Sequence, residues 1–147
     1  TDAARMRARL LPVVAMTQSC SGMGMRLLYP PDVAGWDSGR AWITSGTMVE
    51  RIKWADLLFG QAENAAAGRR AQVQYQSVGL FQRDPSPTGV VDTLVSIYDA
   101  PIPASKRGDL VAAAQKASGG RVTPANANAT SAAVSRLIFG SPEFQFA

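Results

Sequence analysis

The chain has 147 residues, 46% of them hydrophobic, with 15 Lys and Arg against 11 Asp and Glu, a formal charge of +4, one cysteine and no histidine. That length fits one domain with a sizeable core, and no apolar run reaches the roughly 20 residues of a membrane-spanning helix. Without histidine, the usual general base for a Ser or Cys nucleophile is missing, as is the commonest zinc and iron ligand; Cys20 alone makes neither an internal disulfide nor a thiolate cluster.

The positive surplus lies early: residues 1–83 carry 10 basic and 6 acidic side chains, residues 84–147 carry 5 of each. Arg5, Arg7 and Arg9, at spacing two, point to different sides of a helix. They make no single stripe, so a solvated surface accounts for them better than nucleic-acid binding does. Helix formers open the chain at Thr1 without a start signal, and we read it as the C-terminal part of a longer protein.

In chain order the pattern is helix, loop, helix, linker and three shorter helices. Residues from about Ala3 to Leu11 and from about Val13 to Leu28 are rich in Leu, Met, Ala and Arg, with Met16, Ser19, Met23 and Leu27 on one face. Cys20, among small and apolar neighbours, reads as a buried thiol rather than a reactive one. Gly22 and Gly24 either weaken this helix or let another backbone come close, and Pro30 stops it by Tyr29. The run Tyr29-Pro30-Pro31-Asp32-Val33-Ala34-Gly35-Trp36, followed by Gly39-Arg40-Ala41-Trp42-Ile43, can be neither regular helix nor central strand. It predicts a rigid aromatic loop of the kind that holds something in place.

Thr47-Met48-Val49-Glu50 has the pattern of a capping box and predicts a helix start. Met48, Ile52, Ala55 and Phe59 then share a stripe, Trp54 falls on the charged side, and Gly60 ends the helix. Residues 61–89 predict a surface excursion or flexible insert, with at most one short two-stranded element in Gln72–Phe81. Three helices follow: Val90 to Tyr98; Lys106 to Ala117, capped by Ser105 and ended by Gly119-Gly120; and a last one begun by Thr123-Pro124. Their inward faces are Val91, Leu94, Val95 and Tyr98; Leu110, Ala113, Ala114 and Ala117; and Val134, Leu137 and Ile138. Gly140-Ser141-Pro142 breaks the last helix, and the terminal Phe144 and Phe146 read as packed. The expected architecture is all-α: a single domain over residues 1–147, an irregular bundle of about five to six helices with one rigid Pro/Gly/Trp loop.

Candidate chemistry is sparse. Asp32 and Asp37 flank Trp36 and could meet for acid–base work or a hard cation, but both suit turn positions, where Asp bonds its own backbone. Arg40 could grip a carboxylate, sulfate or phosphate; an ion pair inside the loop is the better reading. Trp36, Trp42 and Trp54 could form a stacking platform for sugar rings, yet serve better as anchors that stiffen the loop. Asn128-Ala129-Thr130 matches a glycosylation acceptor but falls within a helix, so we discount it. The residues assign no catalytic group, no metal site and no cofactor.

Met23-Gly24-Met25-Arg26-Leu27-Leu28-Tyr29-Pro30-Pro31-Asp32-Val33-Ala34-Gly35-Trp36, then Gly39-Arg40-Ala41-Trp42-Ile43, and near the end Ser141-Pro142-Glu143-Phe144-Gln145, resemble the signature of a bacterial family of unknown function, DUF1800. Asp37-Ser38 stands where many members have Pro-Gly, which should loosen that turn. The resemblance implies a largely helical, exported protein, periplasmic or extracellular, longer than this chain, and no established reaction. Two readings follow. One is a structural or interaction module that docks to its own upstream region or to another exported protein, with Asp32, Trp36, Asp37, Arg40, Trp42 and Trp54 as binding candidates. The other is a non-autonomous part of a hydrolase-like enzyme acting on a polymer or glycan, with the Pro-Pro-Asp loop lining its site. Neither gives the chain activity by itself, and neither involves nucleic acid or a membrane span.

Overall fold

The computed structural model describes residues 17–26, 28–35, 39–59 and 79–146. The expected first helix, the start of the second, Gly60 and residues 72–78 of the possible strand pair lie outside them. The fold is all-α. Helix α1 covers described residues 17–22, a 3-10 turn spans Gly39–Trp42, and α2 (Ser45–Phe59), α3 (Pro87–Ile97), α4 (Ala104–Ser118), α5 (Ala127–Phe139) and α6 (Pro142–Gln145) follow. Among the described residues there is no strand, only an isolated antiparallel bridge between Asp32 and Gly35. No helix among them is long and apolar enough to cross a membrane. The chain divides into two compact units, one ending at Trp54 and one running from Ala55 to Ala147.

In the first unit α1 stops well before Tyr29. Met25 N–H donates to the Cys20 carbonyl (2.8 Å) and Gly24 N–H to the Ser21 carbonyl (3.1 Å), with Gly24 at φ +87°. This is a Schellman end, which glycine adopts without a Cβ penalty, so Gly24 terminates the helix before Pro30 can. The neighbours that the glycines admit are side chains of α2 rather than another backbone. A Cβ at Gly22 would lie 3.3 Å from Glu50 Oε2, and one at Gly24 3.3 Å from Thr47 Cγ2. Cys20 is a free, half-buried thiol.

The start of α2 is displaced by three residues from the expected capping box. Thr44 and Thr47 form the reciprocal pair: Thr47 N–H donates to Thr44 Oγ1 (3.2 Å), and Thr44 N–H donates to Thr47 Oγ1 (2.9 Å). Thr47 thus fills the reach-back role usually held by Glu or Gln, and Glu50 instead pairs with Lys53. The apolar stripe is also only partly buried. Ala55 and Phe59 are interior, Met48 is half-buried, and Val49 and Ile52 remain exposed.

The second unit is built around α5, which packs against α3, α4 and α6, while α3 packs against α4. Small side chains make this possible. Ala127, Thr130, Ser131, Ala132, Val134, Ser135 and Ile138 are all buried, whereas Leu137, expected inward, is exposed. Two of the buried hydroxyls are satisfied: Thr130 Oγ1 donates to the Asn126 carbonyl (2.9 Å), and Ser135 Oγ shares a hydrogen bond with Tyr98 Oη (2.9 Å). Against this face lie Val90, Val91 and Leu94 of α3 and Leu110 and Ala114 of α4. Phe81, from the described end of the 61–89 stretch, is buried in the same core.

Helix starts differ from expectation for readable reasons. Helix α3 begins at Pro87, not Val90, because Ser86 caps it: its Oγ accepts the Gly89 N–H at 3.0 Å, and Pro87 occupies the first turn. Helix α6 repeats the device, with Ser141 Oγ accepting the Phe144 N–H and Pro142 following. Helix α4 starts at Ala104 without a side-chain cap, so Ser105 does not play that role, and it ends at Gly119 as expected. Helix α5 begins at Ala127, after the Thr123-Pro124 pair. Asn126 holds that junction: its Oδ1 accepts the Thr123 N–H (2.7 Å), and its Nδ2 donates to the carbonyls of Ser118 (2.9 Å) and Arg121 (3.1 Å).

Phe139, at the end of α5, meets three rings: Phe59 (centroids 4.8 Å apart), Tyr98 (5.0 Å, edge-on) and Phe144 (4.5 Å). It therefore ties α5 to the last turn of α2, the end of α3, and α6. Phe144 is packed as expected, whereas Phe146 is exposed. The pairs Arg136–Asp56, Arg107–Asp92 and Lys106–Glu143 lie at the surface of this unit, where solvent screening leaves ion pairs little weight in stability. Phe139→Ala should cost about 3 kcal/mol in urea unfolding, the low end for a large aromatic because the ring is only partly buried; a loss under about 1 kcal/mol would mean that the ring cluster adds little.

Two carboxylates make stability depend on acid. Hydrogen bonds from the Ser86 hydroxyl and then the Ser86 N–H hold Asp84 below the usual carboxylate range, and the hydrogen bond from Lys106 does so first for Glu143. A lowered folded-state pKa contributes stability above the unfolded value and loses it as pH falls through the folded one. From about pH 5 down to about pH 3, wild type should lose more stability than the Asp84→Asn, Glu143→Gln double variant. Parallel pH profiles in thermal unfolding would contradict this.

Candidate functional site

The loop between α1 and α2 folds from its own hydrogen bonds. Tyr29 N–H donates to the Arg26 carbonyl (3.0 Å), closing a first turn that places the Arg26 guanidinium 4.8 Å from the centre of the Tyr29 ring. Leu28, within that turn, has φ +66°, a left-handed conformation that costs an L-residue about 1–2 kcal/mol. Pro30 and Pro31 then lead to a second turn, in which Gly35 N–H donates to the Asp32 carbonyl (3.2 Å) and Ala34 N–H to Asp32 Oδ1 (2.8 Å). Gly35 closes this turn at φ +99°, where a side chain would be strained. Asp32 is thus an Asx-turn residue, with one carboxylate oxygen engaged by its own loop.

The side chains this loop presents are apolar and in water: Leu28 is 82% exposed, Tyr29 66% and Val33 110%. Sequence reading picked out the tryptophans and carboxylates and missed these three. The available signal was the spacing of three between Arg26 and Tyr29, which brings a cation over a ring when a turn closes. The left-handed Leu28 carries no sequence mark.

The sequence candidates do not converge on one cluster among the described residues. Asp32 is exposed in its turn, and Arg40 is exposed in the 3-10 turn, where its carbonyl accepts the Ile43 N–H (3.0 Å). Trp42 is half-buried at the end of that turn, and its carbonyl accepts the Thr47 hydroxyl (2.9 Å). Trp54 is half-buried on α2, three and seven residues beyond Arg51 and Thr47. Trp36 and Asp37 lie outside the described residues, so the Asp32–Asp37 pairing and the burial of Trp36 do too. No group of three or more His, Cys, Asp and Glu able to hold a metal occurs among the described residues. Asn128 lies within α5, and the Thr130 of that acceptor pattern is buried.

Thr47 ties the loop to α2, since its hydroxyl serves both the helix cap and the Trp42 carbonyl. Thr47→Val should cost about 1–2 kcal/mol in thermal unfolding, whereas Glu50→Ala should cost only about 0.5 kcal/mol or less. The reverse order would return the capping box to Glu50.

No curated protein and no solved structure shows significant similarity to this chain. The family model described as a protein of unknown function (DUF1800) matches residues 2–146, nearly the whole sequence. The chain belongs to the DUF1800 family.

Proposed function

We propose that this chain is an interaction module of an exported bacterial protein, periplasmic or extracellular, that docks to another polypeptide and has no catalytic activity by itself. The observation that carries this reading is the Asp32 turn. Its carboxylate is bonded to its own backbone at 2.8 Å, while the same turn holds Val33 wholly in water. Acid–base catalysis needs a carboxylate aimed at a substrate proton, and two-carboxylate hydrolysis needs a second one on an opposing wall. Binding is favoured by a surface whose backbone is already ordered, and a turn closed by two hydrogen bonds provides that. Exposed tyrosine and arginine are also residue types enriched where binding energy concentrates.

A panel of glycoside, ester and phosphate substrates incubated with the chain should show no turnover above background. Turnover that Asp32→Asn abolishes would replace this reading with the hydrolytic one.

A further inference from the structure

We propose that Arg26, Leu28, Tyr29 and Val33 form a docking site for a segment of a separate protein, apolar at its centre and acidic where it meets Arg26; this rests on the interaction reading above. Three features of the loop support it.

The first is presentation. Leu28, Tyr29 and Val33 lie within six residues of chain, all exposed, on two successive turns closed by their own hydrogen bonds. The backbone that carries them is already ordered, so only side-chain freedom remains to be lost when a partner covers them. The backbone strain at Leu28 holds a large apolar side chain in solvent, an arrangement that folding alone does not require.

The second is charge. The charged side chains from Arg26 to Val33 are Arg26 and Asp32, and Asp32 accepts the Ala34 N–H. Arg26 is exposed and stacked over the Tyr29 ring, so the apolar patch carries a cation at its edge. A partner that covers Tyr29 meets this guanidinium, and a carboxylate there gains a charge-assisted hydrogen bond.

The third is composition. A surface permanently covered by its own chain resembles a domain core, whereas this one mixes Leu, Tyr and Val with Arg, Asp and two prolines. That mixture suits a partner that comes and goes. Asp32 at the tip also disfavours a lipid surface, since inserting Val33 would carry a carboxylate toward the acyl chains.

The test is selection of a phage-displayed random 12-residue peptide library on the immobilised 147-residue chain, with anisotropy titration of the enriched peptides. The expected result is enrichment of apolar cores with Asp or Glu flanks. Their affinity should fall at least about tenfold with Arg26→Glu and at least about tenfold with Leu28→Ser, Tyr29→Ser, Val33→Ser combined. All four positions are exposed, so an unchanged far-UV spectrum and melting temperature should accompany the loss; Val33→Asp alone is the second variant if the triple one melts early. Peptides that bind equally well to all loop variants would overturn this site and leave the interaction reading standing. No enrichment would overturn both. Enrichment of basic flanks would overturn the charge assignment. Binding to phosphatidylglycerol vesicles that the triple variant loses would make the loop a membrane contact instead. Self-association lost in the triple variant would make the occupant a second copy.

Discussion

Phe139 stands where four elements meet. Its ring touches Phe59 at the end of α2, Tyr98 at the end of α3 and Phe144 of α6, while the rest of α5 lies under α3 and α4. Much of the buried face of α5 is alanine, serine and threonine, which let its neighbours come close, and the large ring sits at its end. The hydroxyl of Tyr98, edge-on to the same ring, bonds Ser135 one turn back, so a polar contact fixes the register of an otherwise apolar seam. Loss of the ring would loosen α6 and the last turn of α2 together, since neither has a large buried face of its own.

The α1–α2 loop is organised by different means. Its described residues 28–35 rely on backbone hydrogen bonds, prolines and the Asp32 carboxylate, and leave Leu28, Tyr29 and Val33 outside. A carboxylate that closes a turn serves as scaffold. The loop meets α2 through Trp42, whose carbonyl is held by the same threonine that caps the helix. A change at Thr47 therefore reaches both the helix and the loop. Function in this picture depends on a shape kept rigid at modest energetic cost, with Leu28 carrying the strain.

The all-α class was legible because four apolar periodicities ran between clear stops. Helix starts were less so. The Ser86-Pro87 pair has the same cap-plus-proline signature as Thr123-Pro124, yet only the first opens a helix directly; after the second the chain makes one more turn, and α5 begins at Ala127 behind Asn126. The capping box was displaced because threonine at position 47 can take glutamate's role, which the pattern of residue types does not encode. On α5, serine and threonine read as polar, so most of the buried face went unrecognised and Leu137 was placed inside it. At the loop, Pro-Pro-Asp and Gly35 announced a turn, and the Asx role of Asp32 followed from its chemistry. The outward direction of Leu28, Tyr29 and Val33 did not, since exposure depends on what tertiary structure leaves uncovered.

The central claim is that the loop is a preformed surface whose carboxylate is engaged in shaping it. Residue-resolved amide hydrogen exchange measures this directly. Ala34 and Gly35 donate to Asp32 and should exchange at least about tenfold more slowly than in a free peptide, with Asp32→Ala removing the protection of Ala34. Exchange of both amides at the free-peptide rate in the wild type would show an open, fluctuating loop with Asp32 available, and would contradict the account.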